Sequence, residues 1–110
     1  MNPRDTKIWA RAMELVRLVE EVSCLAGAAR PDLIDQLRRA SSSVIMNFAE
    51  GCGRTTRRDR ARFFAMARAS ASECGAGFAI LEVVGLIDGE TVGRAADATD
   101  HLGAMLYRWR

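Results

Sequence analysis

The chain has 110 residues, of which 49% are hydrophobic and 27% are charged. This length favours one domain, spanning residues 1–110, and the composition excludes a wholly disordered protein. Alanine at 18 positions and proline at only 2 favour helix. The net charge of +2 is unevenly spread, since residues 38–68 sum to +6 and residues 69–107 sum to −5. This asymmetry predicts a basic surface that faces phosphate or an acidic protein, unless the two segments neutralise each other across the fold.

The apolar stretches and the cysteines indicate in which cellular compartment the protein is expected. Charged residues or glycines interrupt every apolar stretch well before the roughly 18 residues that cross a bilayer, so we expect no transmembrane helix. Residues 1–7 lack the apolar block of a secretory signal. Cys24, Cys52 and Cys74 show no C-x-x-C spacing, which is typical of thiols in a reducing compartment. We therefore expect a cytoplasmic protein without membrane contact.

The first half of the chain carries two amphipathic helical patterns. Apolar residues recur at steps of three and four over residues 6–26, which predicts a first helix that ends at Gly27. Pro31 suits the first turn of a second helix, predicted over residues 31–50. Gly51 is the expected end of this second helix.

The second half of the chain predicts two more helices. Thr56, followed three residues later by Asp59, resembles a capping box and marks the start of a third helix over residues 56–86. Asp88-Gly89 predicts a turn, and the last helix should cover residues 89–109. Amphipathic helices with short connections and no strand pattern predict an all-α fold, an antiparallel up-down four-helix bundle.

The third helix has more apolar surface than one core-facing stripe requires. Gly75 and Gly77 inside it predict a close backbone approach or a weak spot. Apolar side chains also lie off its main stripe, which predicts an oligomer interface. These side chains are Phe63, Met66, Ile80, Val83 and Val84.

The residue types that catalysis and metal binding require are sparse. His101 is the only histidine; Asp97 and Asp100 are nearby, but there is no G-x-S-x-G motif, so an ion-paired or solvated histidine is the favoured interpretation. The three cysteines and His101 lack the short-spaced pairs of structural zinc sites. We expect no enzyme activity, no cofactor and no metal.

Arginines are dense around the loop at residues 51–55. Arg57, Arg58, Arg62 and Arg68 fall within about 140° of one side of the third helix, and Arg54 precedes it. Such a face suits a phosphate backbone bound without base specificity, whereas the alternative is a solvated or salt-bridged face. The loop itself resembles an anion site, but a glycine cap followed by a turn is the favoured explanation.

Several segments together form a specific pattern over nearly the whole chain: IWARAMELV at 8–16, QLRRASSSV at 36–44, NFAEGCGR at 47–54, RFF at 62–64 and ARASASE at 67–73. This pattern resembles the small bundle proteins of the 23S rRNA intervening-sequence (S23) family. The motif positions of the family fall on Arg39, Asn47, Glu50, Gly51, Arg54, Arg68, Ser70 and Glu73. These positions could serve architecture alone.

The resemblance implies a four-helix bundle that assembles as a homopentamer. It also implies kinship with accessory proteins of diversity-generating retroelements, which bind nucleic acid and a reverse transcriptase. We therefore expect a non-catalytic homo-oligomer that binds nucleic acid, in particular structured RNA, through its arginine-rich face. The alternative is an adaptor that recruits an acidic protein partner, such as a reverse transcriptase, without touching nucleic acid.

Overall fold

The computed structural model describes residues 2–109, and every regular element in this part of the chain is a helix. A short 3-10 turn at Pro3–Asp5 precedes four α-helices. They are α1 (Lys7–Ala26), α2 (Pro31–Cys52), α3 (Arg57–Val83) and α4 (Gly89–Trp109). The predicted all-α fold is confirmed, and residues 2–109 contain no strand. None of the helices in this range is long and apolar enough to cross a membrane.

Side-chain caps define where three of the helices begin. The Thr6 hydroxyl accepts a hydrogen bond from the Trp9 amide at 3.1 Å, at the start of α1. Thr56 accepts one from the Asp59 amide at 3.1 Å, at the start of α3. The Asp88 carboxylate accepts one from the Thr91 amide at 2.8 Å, at the start of α4. Hydrogen bonds from the side chain and the amide of Thr91 hold the pKa of Asp88 below its usual value. Each cap satisfies an amide that has no partner inside its helix.

Two helix ends differ from the sequence prediction. The second helix was expected to end at residue 50, but α2 includes Gly51 and Cys52, and the Gly53 amide still donates to the Ala49 carbonyl at 3.2 Å. The third helix was expected to reach residue 86, but α3 ends at Val83.

Gly85 explains the early end of α3. It has a φ of 78°, in the left-handed region that favours glycine. The Gly85 amide donates to the Glu82 carbonyl and the Leu86 amide donates to the Leu81 carbonyl, both at 2.9 Å. This arrangement is a Schellman motif, which satisfies the last carbonyls of the helix and turns the chain toward α4.

Contacts between α2 and α3 show that these helices run antiparallel. Near the end of α2, Phe48 stacks on Phe64 with the ring centroids 5.6 Å apart. Earlier in α2, the Ser70 hydroxyl donates to the Ser43 hydroxyl at 2.9 Å. Residue numbers therefore rise along one helix as they fall along the other.

The remaining contacts close the bundle. Each helix packs on its neighbours in the chain, and α4 packs on α1. Between α1 and α4, Arg11 forms an ion pair with Asp97 and Arg94 forms one with Glu21. These two pairs show that α1 and α4 also run antiparallel. The bundle is elongated, about 44 × 22 × 20 Å.

The bundle interior is apolar and closely packed. The stripe predicted for the first helix is fully buried, namely Ile8, Ala12, Leu15, Val19, Val22 and Ala26. Gly77 of α3 lies against α2, where an added Cβ would come within 2.6 Å of the Leu37 side chain. The close approach predicted at this glycine is therefore present, and α2 and α3 can pack tightly because Gly77 has no side chain.

Candidate nucleic-acid interface

The basic end of the bundle contains an open groove between α3 and α4. Because the two helices are antiparallel, the last turn of α4 lies beside the first turn of α3. The groove has a volume of about 650 Å³ and is lined by Arg57, Arg58, Ala61, Tyr107 and Arg108. Two predicted site residues, Arg57 and Arg58, therefore share one depression with two residues that the sequence did not single out.

Three arginines of this groove, which we call the groove arginines, have no acidic partner among residues 2–109. They are Arg57, Arg58 and Arg108; all are exposed, and none forms an ion pair with another residue in the range 2–109. None of the described residues that line the groove carries a carboxylate. The positive charge here is therefore available to an external anion.

Arg68 lies at the edge of the groove through its contact with Tyr107. Its guanidinium carbon is 5.0 Å from the centroid of the tyrosine ring, within the range of a cation–π interaction. About half of the Tyr107 side chain, 49%, remains exposed. An aromatic ring is thus placed among four arginines.

The other two predicted site residues have different surroundings. Arg54 forms an ion pair with Glu50 at 2.7 Å, and Arg62 lies 3.8 Å from the Asp59 carboxylate. Both guanidinium groups also lie on the ring of Phe63, at 4.7 Å and 4.5 Å from its centroid. We call Arg54, Arg62 and Phe63 the Phe63 cluster. Its charges are partly neutralised inside the molecule, so it is a weaker anion site than the groove.

Three motif positions have an architectural role. The Asn47 side-chain amide donates to the carbonyl of Ser43 at 3.0 Å and to its hydroxyl at 2.9 Å, and the same hydroxyl accepts from Ser70. At Gly51, an added Cβ would lie 2.6 Å from a ring carbon of Phe64. These residues fix how α2 packs against α3.

The remaining motif positions lie on the surface of α2 and at its junction with α3. Glu50 is the partner of Arg54, and Arg39 lies 3.5 Å from Asp35 one turn earlier. Glu73 borders a small cavity of about 110 Å³ between α2 and α3. None of these residues reaches the groove.

The residues considered for catalysis or metal binding are dispersed. The Nδ1 atom of His101 accepts a hydrogen bond from Arg11 at 3.0 Å, and Arg11 also contacts Asp97 and Glu14. All three cysteines are free, and only Cys24 is exposed. Within residues 2–109, no group of three or more histidine, cysteine or acidic side chains could hold a metal ion.

Tyr107 and Arg108 were not predicted as site residues, because they lie about fifty residues from the other groove residues. The antiparallel topology predicted from the sequence places the last turn of the fourth helix beside the first turn of the third. It does not show which side chains of that last turn face the groove.

The fold and the groove define a small helical-bundle protein with a basic depression at one end. The family model described as 23S rRNA-intervening sequence protein matches residues 4–108, so the chain belongs to this family. The resemblance found in the sequence is therefore confirmed. No curated protein matches the chain.

Proposed function

We propose that this protein is a non-catalytic RNA-binding protein whose groove arginines bind the phosphate backbone of a structured RNA. The observation that carries the proposal is the open groove with three exposed arginines, none of which forms an ion pair with any of residues 2–109. Arginine suits this task because its planar guanidinium can form two parallel hydrogen bonds to one phosphate. The family description, which refers to 23S rRNA, supports RNA as the polyanion.

The position of Arg57 and Arg58 adds support. Both lie in the first turn of α3, where the helix dipole disfavours positive charge. A bound phosphate would offset this local repulsion and would also interact favourably with the helix start. Placing arginines here costs the isolated chain stability, which is consistent with a role in binding an anion.

We also propose that the protein works as a homo-oligomer, with the pentamer of its family as the expected form. The outer surface of α3 and its C-cap residue expose Met66, Ile80, Val83 and Val84, with between 37% and 85% of each residue accessible. Apolar surface of this kind is suited to contact with another copy. Each copy would repeat the groove, and linked weak sites bind with higher overall affinity than one site alone.

The test compares two double variants that remove the same charge. Arg57→Gln with Arg58→Gln removes two groove arginines, whereas Arg17→Gln with Arg39→Gln removes two exposed arginines from α1 and α2. Affinity for an RNA hairpin, duplex DNA and heparin is measured across a salt series. The groove variant should bind RNA many-fold more weakly, and the slope of log affinity against log salt should flatten by roughly 0.7 to 0.9 per contact removed.

Two outcomes would contradict the proposal. If both double variants bind the RNA hairpin with the same affinity and salt slope, the groove is not the binding site. If the wild-type protein binds an acidic polypeptide such as polyglutamate more tightly than the hairpin, the adaptor role is favoured instead. Circular dichroism checks that both variants keep the helical content of the wild type.

A further inference from the structure

Tyr107 is the feature of the groove that phosphate binding does not require. It lines the groove together with Arg57 and Arg58, and 49% of its side chain is exposed. Arg68 lies on its ring at 5.0 Å from the centroid, which limits where the ring can move. An exposed aromatic ring is therefore held in place at a site where the surrounding charges attract phosphate.

A base can contact this ring only when it is unpaired. Bases in a duplex are stacked on each other, and only the sugar–phosphate backbone is exposed along the outside of the helix. Unpaired bases in loops and single strands can stack on aromatic side chains while neighbouring phosphates meet arginines. A tyrosine among arginines therefore distinguishes an unpaired strand from a duplex, which arginines alone do not.

The size of the groove agrees with one nucleotide as its occupant. Its volume of about 650 Å³ lies in the range of sites that hold a single small ligand. The arginines continue on α3 from Arg57 to Arg68, a distance of about 16 Å along the helix axis. Arg68 would thus lie within reach of a phosphate on one side of the bound nucleotide.

We propose that the groove selects unpaired nucleotide segments and that Tyr107 stacks on a base of the bound strand. This inference rests on the proposed function, since it names the kind of nucleic acid that the same groove binds. The ring contacts the base and the groove arginines contact the phosphates. A loop in a structured RNA and a free single strand offer the same chemistry.

The experiment uses the full-length protein and its Tyr107→Leu and Tyr107→Phe variants. The probes are strands of about ten nucleotides: oligouridylate RNA, oligothymidylate DNA, an abasic strand with the same phosphates, and a blunt RNA duplex. An RNA hairpin with a uridine loop separates a loop from a free strand. Affinity is measured at several salt concentrations.

Tyr107→Leu should lower affinity for the base-bearing single strands roughly tenfold or more, the effect typical of losing one stacked base. It should leave binding of the abasic strand and of the duplex unchanged, with the same salt slope. Tyr107→Phe should bind like the wild type because it keeps the ring. This result also shows that the leucine effect comes from the missing ring and not from the missing hydroxyl.

Three results separate this inference from the proposed function. If Tyr107→Leu binds every probe like the wild type, the tyrosine does not contact a base, while phosphate binding by the arginines stands. If Tyr107→Leu weakens the abasic strand as much as oligouridylate, the ring only positions Arg68, and the inference is wrong. If no probe shows affinity that depends on Arg57 and Arg58, the proposed function itself fails.

Discussion

The three thiols differ because their surroundings differ. Cys24 is exposed on α1, whereas Cys74 is buried in the middle of α3. Burial raises the pKa of the Cys74 thiol to about 12, and the neighbouring Glu73 carboxylate adds to this shift. The cause is physical and local, since an apolar interior disfavours the charged thiolate. Sequence spacing indicated that the cysteines are unpaired, and helical periodicity places Cys74 on the apolar stripe of the third helix.

The raised pKa predicts how stability changes in alkaline solution. The pKa of the folded thiol lies above its ordinary value of 9.0, so its contribution to stability is complete below that pH and is lost as pH rises toward 12. Cys74→Ala should lower the free energy of unfolding at neutral pH, because it removes buried sulfur. Above pH 9, the free energy of unfolding of this variant should fall less steeply with pH than that of the wild type. The slopes of the free energy of unfolding against pH should differ between the two proteins by at most about 1.4 kcal/mol per pH unit.

Urea denaturation at several alkaline pH values measures this slope, and Cys24→Ala is the control. Because Cys24 is exposed, its replacement should leave the alkaline decline as in the wild type. If the free energy of unfolding of Cys74→Ala falls with pH in parallel with that of the wild type, the Cys74 thiol does not contribute to the alkaline loss of stability.

At the scale of elements, the start of α3 combines a cap with residues that oppose the helix dipole. The Thr56 hydroxyl accepts a hydrogen bond from the Asp59 amide, and Arg57 and Arg58 are the next two residues of the chain. The sequence predicted this start because a threonine followed three residues later by an acidic residue is a local signal. The predicted end of α3 lay three residues too far along the chain, because the apolar pattern continues to Leu86, beyond the Gly85 whose left-handed conformation ends the helix.

Removing this cap should destabilise the protein. Thr56→Ala should lower the free energy of unfolding by about 1 kcal/mol, since one helix amide loses its acceptor. Thr55→Ala is the matched control, because the Thr55 hydroxyl forms no hydrogen bond within residues 2–109. Chemical denaturation of both variants gives the comparison, and equal stability of the two would contradict the capping role.

At the scale of the whole molecule, charge and apolar surface lie on different parts of the bundle. The groove arginines lie at one end, and the exposed apolar residues Met66, Ile80, Val83 and Val84 lie along the outer surface of α3. In the proposed oligomer, this division would leave the groove open, because the copies would contact each other through the outer surface of α3. Assembly and RNA binding can therefore be tested separately.

Light scattering should report a mass well above the 12.1 kDa of one chain, near five subunits. Met66→Glu with Ile80→Glu should shift the mass toward the monomer without loss of helix, because charge on the outer surface of α3 opposes apolar contact. Leu25→Glu, at a more exposed apolar residue of α1, should leave the mass unchanged. A wild-type monomer at micromolar concentration would contradict the assembly.

The sequence alone determined the number of helices, most of their boundaries, the antiparallel bundle and the family. These features follow from apolar periodicity, from caps and from glycine and proline positions, all of which act over a few residues. Gly77 was marked as a close approach for the same reason, although its neighbour Leu37 was not known.

Only the tertiary structure divided the arginines into two groups. Arg54 and Arg62 lie beside acidic residues and Phe63. Arg57 and Arg58 instead line the groove from α3, with Tyr107 and Arg108 of α4 lining it from the other side. A helical pattern shows which side of a helix a residue is on, but not which side chains of another helix lie opposite. Residues about fifty positions apart form one site only because α3 and α4 pack antiparallel, which brings the first turn of one helix beside the last turn of the other.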